Sequence, residues 1–178
     1  MLTIHNIYNQ VEIEGKNKNY LEYFNKRLGH TPNLFLAMML SNNALSAYYT
    51  FHSRKTSLSK RDVEAIALVV AQHNRAMYCL SAHTMIAKLN GFSEKEILEL
   101  RSGAASFDSR LNALVKLIVA IVEQPGTMDN NLLNTFFAAG YTKEHLIDAL
   151  QVIGDGFITN IAGKVFDVPI DFPIAKEL

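Results

Sequence analysis

The stretch Leu58-Ser-Lys-Arg-Asp-Val-Glu-Ala-Ile-Ala-Leu-Val-Val-Ala-Gln-His-Asn-Arg-Ala-Met-Tyr-Cys-Leu-Ser-Ala-His83 decides how the chain reads. Ser59 stands where a helix N-cap belongs, and Asp62, three residues on, takes the capping-box position. Val63, Ile66, Ala67, Val70 and Ala71 then recur on one helical face. Gln72-His73-Asn74-Arg75 breaks that stripe, and Asn74 is expected to cap a second helix from Arg75 to Asn90, ended by Gly91. Two successive apolar-faced helices joined by a short elbow point to an all-α protein.

The flanks carry the same period. Tyr20–Leu28 reads as a short helix closed by Gly29, after a Gly-Lys-Asn-Lys-Asn stretch at 15–19 that reads as loop. Thr31-Pro32 opens a helix expected to run to about Ser53. Ser93 caps a helix through Leu100, and Asp108 starts one with Leu111, Leu114, Val115, Ile118, Val119 and Val122 on a continuous face. Pro125-Gly126 ends it, Asp129 starts Asn130–Ala138, and Thr142 caps a last long helix from Lys143 to about Val165. The tail from Val168 to Pro173 is excluded from helix by its prolines. The expected architecture is a single-domain helical bundle over 20–178, behind a weakly structured segment 1–19. Gly154 and Gly156 interrupt the last helix without a preceding strand, so they read as close helix packing or a kink.

Composition narrows the function classes. The 178 residues, 49% apolar, are enough for one domain with a sizeable core. Lys+Arg and Asp+Glu are equal at 17 each, with no basic run, which argues against a nucleic-acid binder. No apolar stretch is long enough for a membrane span, and the first twenty residues lack a signal-peptide core, so a cytoplasmic protein is expected. Cys79 is the single cysteine, so no intrachain disulfide can form.

Cys79 and His83, four apart, share a helix face. Cys79 falls within the first turns after the expected cap, where helix N–H groups favour thiolate. His83 could take the thiol proton, and Glu64, on the preceding helix, could orient His83 if the two helices pack as a hairpin. Taken alone, a single cysteine in an apolar helix is more often a small buried hydrophobe. Tyr78 and His73 are further candidates for pocket lining or proton relay, although packing suits Tyr78 and a solvated or capping place suits His73 better. His5, His30, His52 and His145 show no cluster. No second Cys or His stands at ligand spacing, so neither metal nor cofactor is assigned.

These residues resemble the carboxymuconolactone decarboxylase family, in its alkylhydroperoxidase D-like, peroxidase-related branch. The family motif runs from a glutamate through C-x-x-C to a histidine four residues after the second cysteine. Glu64, Cys79 and His83 fall on the glutamate, the second cysteine and the histidine. Thr31–Phe35, Leu58–Glu64, Asp108–Leu111, Ala138–Tyr141 and Asn160–Gly163 are similar to its flanking text, so the resemblance covers roughly 30–172. The chain departs from it at Ala76, where the family has its first cysteine, and at Val63, where arginine is usual. An intramolecular dithiol cycle is therefore excluded.

The resemblance implies a thiol enzyme reducing hydroperoxides through Cys79, with His83 supporting proton transfer, Glu64 holding His83 and an external thiol as reductant. Two alternatives are a non-redox acid–base enzyme acting on a small carbonyl acid, with Cys79 as lining, and a catalytically degenerate oligomeric binding protein. The resemblance further implies a homo-oligomer, a trimer or hexamer.

Overall fold

A computed structural model describes residue 13 and residues 15–178, and the remaining N-terminal residues, His5 among them, lie outside it. In chain order the helices are α1 (Gly15–Leu28), α2 (Asn33–Met38), α3 (Ala44–His52), α4 (Lys60–His73), α5 (Met77–Leu89), α6 (Glu94–Arg101), α7 (Ser109–Glu123), α8 (Asn130–Ala138) and α9 (Lys143–Val165). Among the described residues there is no strand, so the expected all-α bundle is what the chain forms.

α4 is the axis of the molecule. Its Ser59 side chain accepts from the Asp62 N–H, and the Asp62 carboxylate accepts from the Ser59 N–H and hydroxyl in return. Ile66, Leu68 and Val70 are fully buried, so several faces of α4 meet protein. α5, α7 and α9 pack around it. Leu111, Leu114, Val115 and Ile118 of α7 press on it from one side, as the sequence stripe predicts. On another side α9 approaches at Gly156. A Cβ there would stand 3.0 Å from Val70 Cγ1, so the close-packing reading holds at Gly156, whereas nothing lies within 4 Å of a Cβ at Gly154.

A second apolar cluster joins α1 to α3, the start of α5 and the C-terminal tail, through Phe24, Leu45, Tyr48, Cys79, Leu80, Val168 and Ala175. The tail is not helical, as its prolines require, but it is tied down. Asp171 accepts from the Asn33 N–H at 2.8 Å, the Ala175 N–H donates to Ser81 Oγ at 3.1 Å, and Arg101 donates to the Lys176 carbonyl at 2.6 Å.

Three expectations need correction. The stretch 15–19 is the first turn of α1 rather than loop, and Asn17 is buried there, donating to the Met39 and Ser41 carbonyls. The helix expected from Thr31 to Ser53 is two helices. At the break, the Ser41 hydroxyl accepts from the Asn43 and Ala44 N–H groups, a local bond that competes with helix. Asn74 is the C-cap of α4, and the N-cap of α5 is Ala76. Arg75 takes the left-handed conformation, φ 50°, while its N–H donates to Gln72 O and that of Ala76 to Ala71 O. This is a Schellman ending with arginine in the usual glycine place.

Candidate active site

The two helices α4 and α5 do pack as a hairpin, and that brings Glu64 to His83. Glu64 Oε2 lies 2.9 Å from His83 Nδ1. Glu64 is nearly buried, with 9% of its side chain exposed, while the imidazole keeps 24%. A carboxylate bonded to Nδ1 fixes the ring and leaves Nε2 as the atom able to meet another molecule. Burial works against protonation of His83, but the charge and hydrogen bond of Glu64, together with the charge of Asp155, raise its pKa above 6.5. The Glu64 carboxylate thus favours the protonated form of the ring over the neutral one.

Cys79 shares the α5 face with His83, one turn earlier. Among the described residues, no hydrogen bond joins its thiol to the imidazole. The side chains that act on it come from α9: the Thr159 hydroxyl and the Asp155 carboxylate. Burial, at 3% exposure, pushes the thiol up to about 11, and Asp155 adds to the rise while Thr159 partly offsets it. The expectation of a thiolate favoured by the helix N-terminus is therefore corrected. Cys79 does sit in the first turn of α5, but loss of water outweighs the N–H groups there.

The remaining residues singled out in the sequence fall elsewhere. Tyr78 is buried, with its hydroxyl accepting from the Leu34 N–H at 3.2 Å and its ring edge-on to Phe172. Burial holds its pKa far above the ordinary range, helped by the nearby Asp171 carboxylate and partly offset by the Leu34 N–H. It ties α5 to α2 and the tail. His73 is exposed at the end of α4. Nine residues from Glu64 is about half a turn of rotation, so the two face opposite ways. Ala76, on the position of the absent cysteine, is buried and contributes no side-chain cap.

One polar cluster at the site escaped the sequence reading. Asp155 of α9 accepts from Tyr48 Oη at 2.7 Å, from Arg54 Nη1 at 3.3 Å, and pairs with His52 Nδ1 at 2.9 Å. Tyr48 Oη and His52 Nδ1 are also 3.1 Å apart. Burial would raise the Asp155 pKa, but the bonds from His52, Tyr48 and Arg54 hold it below its ordinary value. His52, read as isolated, is thus half of a second histidine–carboxylate pair. The partners are 103 residues apart, so no spacing announces them. Among the described residues, no group of three or more His, Cys, Asp or Glu could hold a metal ion, and no helix is long and apolar enough to cross a membrane.

The comparisons with known proteins agree with this frame. A model of the carboxymuconolactone decarboxylase family matches residues 41–129, which include Glu64, Cys79 and His83. No curated protein matches significantly. A peroxidase-related protein from Silicibacter sp. TM1040 superposes with a TM-score of 0.81 at 20% identity, over 94% of this chain and 88% of its own. An alkylhydroperoxidase AhpD core, a peroxidase-related protein from Ralstonia eutropha JMP134, gives 0.79 at 14%, over 91% and 92%. The debrominase Bmp8, as a cysteine-to-alanine variant in complex with 2,3,4-tribromopyrrole, gives 0.69 at 19%, over 85% and 83%. At these identities the likeness is one of fold.

Proposed function

Because the chain belongs to the carboxymuconolactone decarboxylase family, we propose that it is a small-molecule enzyme whose reacting group is the Glu64–His83 pair, with Cys79 beside it as a neutral thiol. The observation that carries this reading is the 2.9 Å bond from a nearly buried carboxylate to the Nδ1 of a partly exposed imidazole. Glu64 stabilises the imidazolium, so His83 can give a proton from Nε2 to a substrate oxygen or carbon and take one back as the neutral ring. A small carbonyl acid is the substrate class this suits.

The test is turnover on a panel of small carbonyl acids, ring lactones included. His83→Gln and Glu64→Gln should each lose at least about 100-fold, the usual worth of a positioned acid–base group. Cys79→Ala should keep most of the activity. Full activity in Glu64→Gln would end this reading.

A second reading, hydroperoxide reduction, is supported by Cys79 standing one turn before His83 and by the names of two of the similar structures. The Cys79 thiolate would attack the peroxide O–O bond, leaving a sulfenic acid and releasing an alcohol once the leaving oxygen takes a proton from His83. An external thiol would then reduce the sulfenic acid, since Ala76 cannot. Dimedone adduct at Cys79 after modest peroxide excess, together with loss of turnover in Cys79→Ser, is the result that would move the assignment here. The debrominase supports the wider point that this fold hosts more than one chemistry.

Self-association belongs to the proposal as well. Ile147, Leu150, Ile158, Ile161 and Val165 of α9 are exposed at helical spacing, an apolar row that a second copy would cover. A monomer by analytical ultracentrifugation at micromolar concentration would refute it.

A further inference from the structure

Two side-chain amides around the elbow between α4 and α5 bury donors that nothing accepts. Asn160 of α9 is 1% exposed, and its Nδ2 has no acceptor among the described residues. Asn74 Nδ2, in the elbow itself, is orphaned in the same way. A buried donor left unpaired is costly, and folded chains pair such groups with a neighbour, a water or a ligand.

The register of α9 fixes where Asn160 points. Four residues before it, a Cβ at Gly156 would meet Val70 Cγ1 of α4 at 3.0 Å. Three residues after it, a Cβ at Gly163 would lie 3.8 Å from Tyr78 Cβ of α5. Four residues after it, Lys164 Nζ donates to the Asn74 carbonyl at 3.3 Å. Positions 156, 160, 163 and 164 share one helix face. Asn160 is therefore aimed at the chain between Val70 and Tyr78, which holds the elbow and the start of α5. Ala76, the N-cap there, has no side-chain atom able to cap, so the first-turn N–H groups of α5 lack a side-chain partner. These groups are the positive end of a helix of 13 residues. Lys164 is exposed at the rim and pairs with no carboxylate among the described residues.

We propose that this elbow binds a small carboxylate anion, held by the first-turn N–H groups of α5 and the amides of Asn160 and Asn74, with Lys164 balancing its charge. All of these groups donate, and donors at a helix N-terminus suit an anion. The Asn160 amide lies out of water, so the ligand must shed part of its hydration to reach it. That cost rises steeply with charge, which favours a singly charged carboxylate over a phosphate dianion. His83 stands six residues past Met77, about 9 Å further along α5. The site is thus separate from the Glu64–His83 pair, and its occupation is read without turnover.

The experiment follows amide signals of the ¹⁵N-labelled full chain by NMR as sodium acetate replaces sodium chloride at constant ionic strength. The Asn160 side-chain signal, assigned by its loss in Asn160→Ala, should shift and saturate, and the backbone amides of Met77 and Tyr78 should shift with the same midpoint. Read on those backbone amides, Asn160→Ala should weaken acetate binding at least about tenfold, and Lys164→Met about threefold. Should Asn160→Ala fail to fold, as circular dichroism would reveal, the exposed Lys164→Met decides alone. Shifts that never saturate, or an affinity unchanged in either folded variant, would overturn the proposal. Signals that acetate leaves untouched would mean that a water alone serves the buried amides, and would overturn it too. Inorganic phosphate binding more tightly than acetate would overturn the choice of a carboxylate.

Discussion

The sharpest consequence of the site geometry concerns how slowly its thiol reacts. Burial and the Asp155 charge put Cys79 at about 11, against an ordinary value of 9.0. Two units cut the thiolate population at neutral pH by about 100-fold, and only thiolate attacks iodoacetamide. With 3% of the residue exposed, access slows the native protein further. Native protein should therefore alkylate at least about 100 times more slowly at pH 7.5 than the same chain unfolded in urea. The native rate should climb tenfold per pH unit without a plateau until about pH 10. The same shift is a stability term. The native pKa lies above the unfolded one, so its contribution is fully present below pH 9 and is lost as pH rises from there toward 11. That loss amounts to about 3 kcal/mol, and Cys79→Ala should abolish it. The assay is intact-mass labelling across pH 6–10.5, with urea melts at both ends of the range. A native plateau with its midpoint at or below pH 8 would refute the reasoning and revive the thiolate nucleophile.

Three further outcomes test the frame. His83 has a raised pKa through Glu64, so the stability it contributes is complete below the ordinary imidazole value of 6.5 and is lost as pH rises through its higher native value. Urea melts of the native chain and of Glu64→Gln should converge at alkaline pH, and a constant gap would contradict the pairing. Gly154→Ala, with open space for its methyl, should gain up to about 1 kcal/mol from helix propensity. Gly156→Ala should gain nothing, because its methyl meets Val70, and equal gains would show that the α9–α4 approach is looser than described. Asp62→Ala strands the buried Tyr141 hydroxyl, now 2.6 Å from the carboxylate, and removes half of the α4 capping box. A loss of about 3 kcal/mol in chemical denaturation is expected, and under 1 kcal/mol would show the contacts to be incidental.

What the sequence disclosed depended on how far apart the interacting residues lie. Ser59 with Asp62, Ser93 with Glu96 and Thr142 with His145 are local pairs, and each cap stands where the spacing predicts a helix start. The Leu111–Val122 face is legible for the same reason, since one helix carries the whole pattern. α1 began earlier than its apolar residues suggest because Asn17 is stabilised from outside, by carbonyls more than twenty residues away. Asn74 misled because asparagine suits either end of a helix, and the Arg75 conformation that decides between them leaves no mark in composition. In the site, Glu64 and His83 were found through a motif, whereas His52 and Asp155 meet only because α3 folds against α9. The thiol pKa was misjudged because a helix N-terminus is visible in sequence and burial is not.

The elbow between α4 and α5 has a bearing on which changes the gene can accept. Replacing Arg75 by glycine relieves a left-handed strain of about 1 kcal/mol and moves nothing else. Adding or deleting one residue there is a different matter. The Arg75 and Ala76 N–H bonds fix how α5 leaves α4, so a single-codon insertion would break that closure and shift His83 from Glu64 while leaving every helix intact. The protein would fold, pass for native by its circular dichroism, and lack the Glu64–His83 pair. Among natural variants of this chain, substitutions should accumulate at Arg75, and length changes between Ala71 and Met77 should be absent.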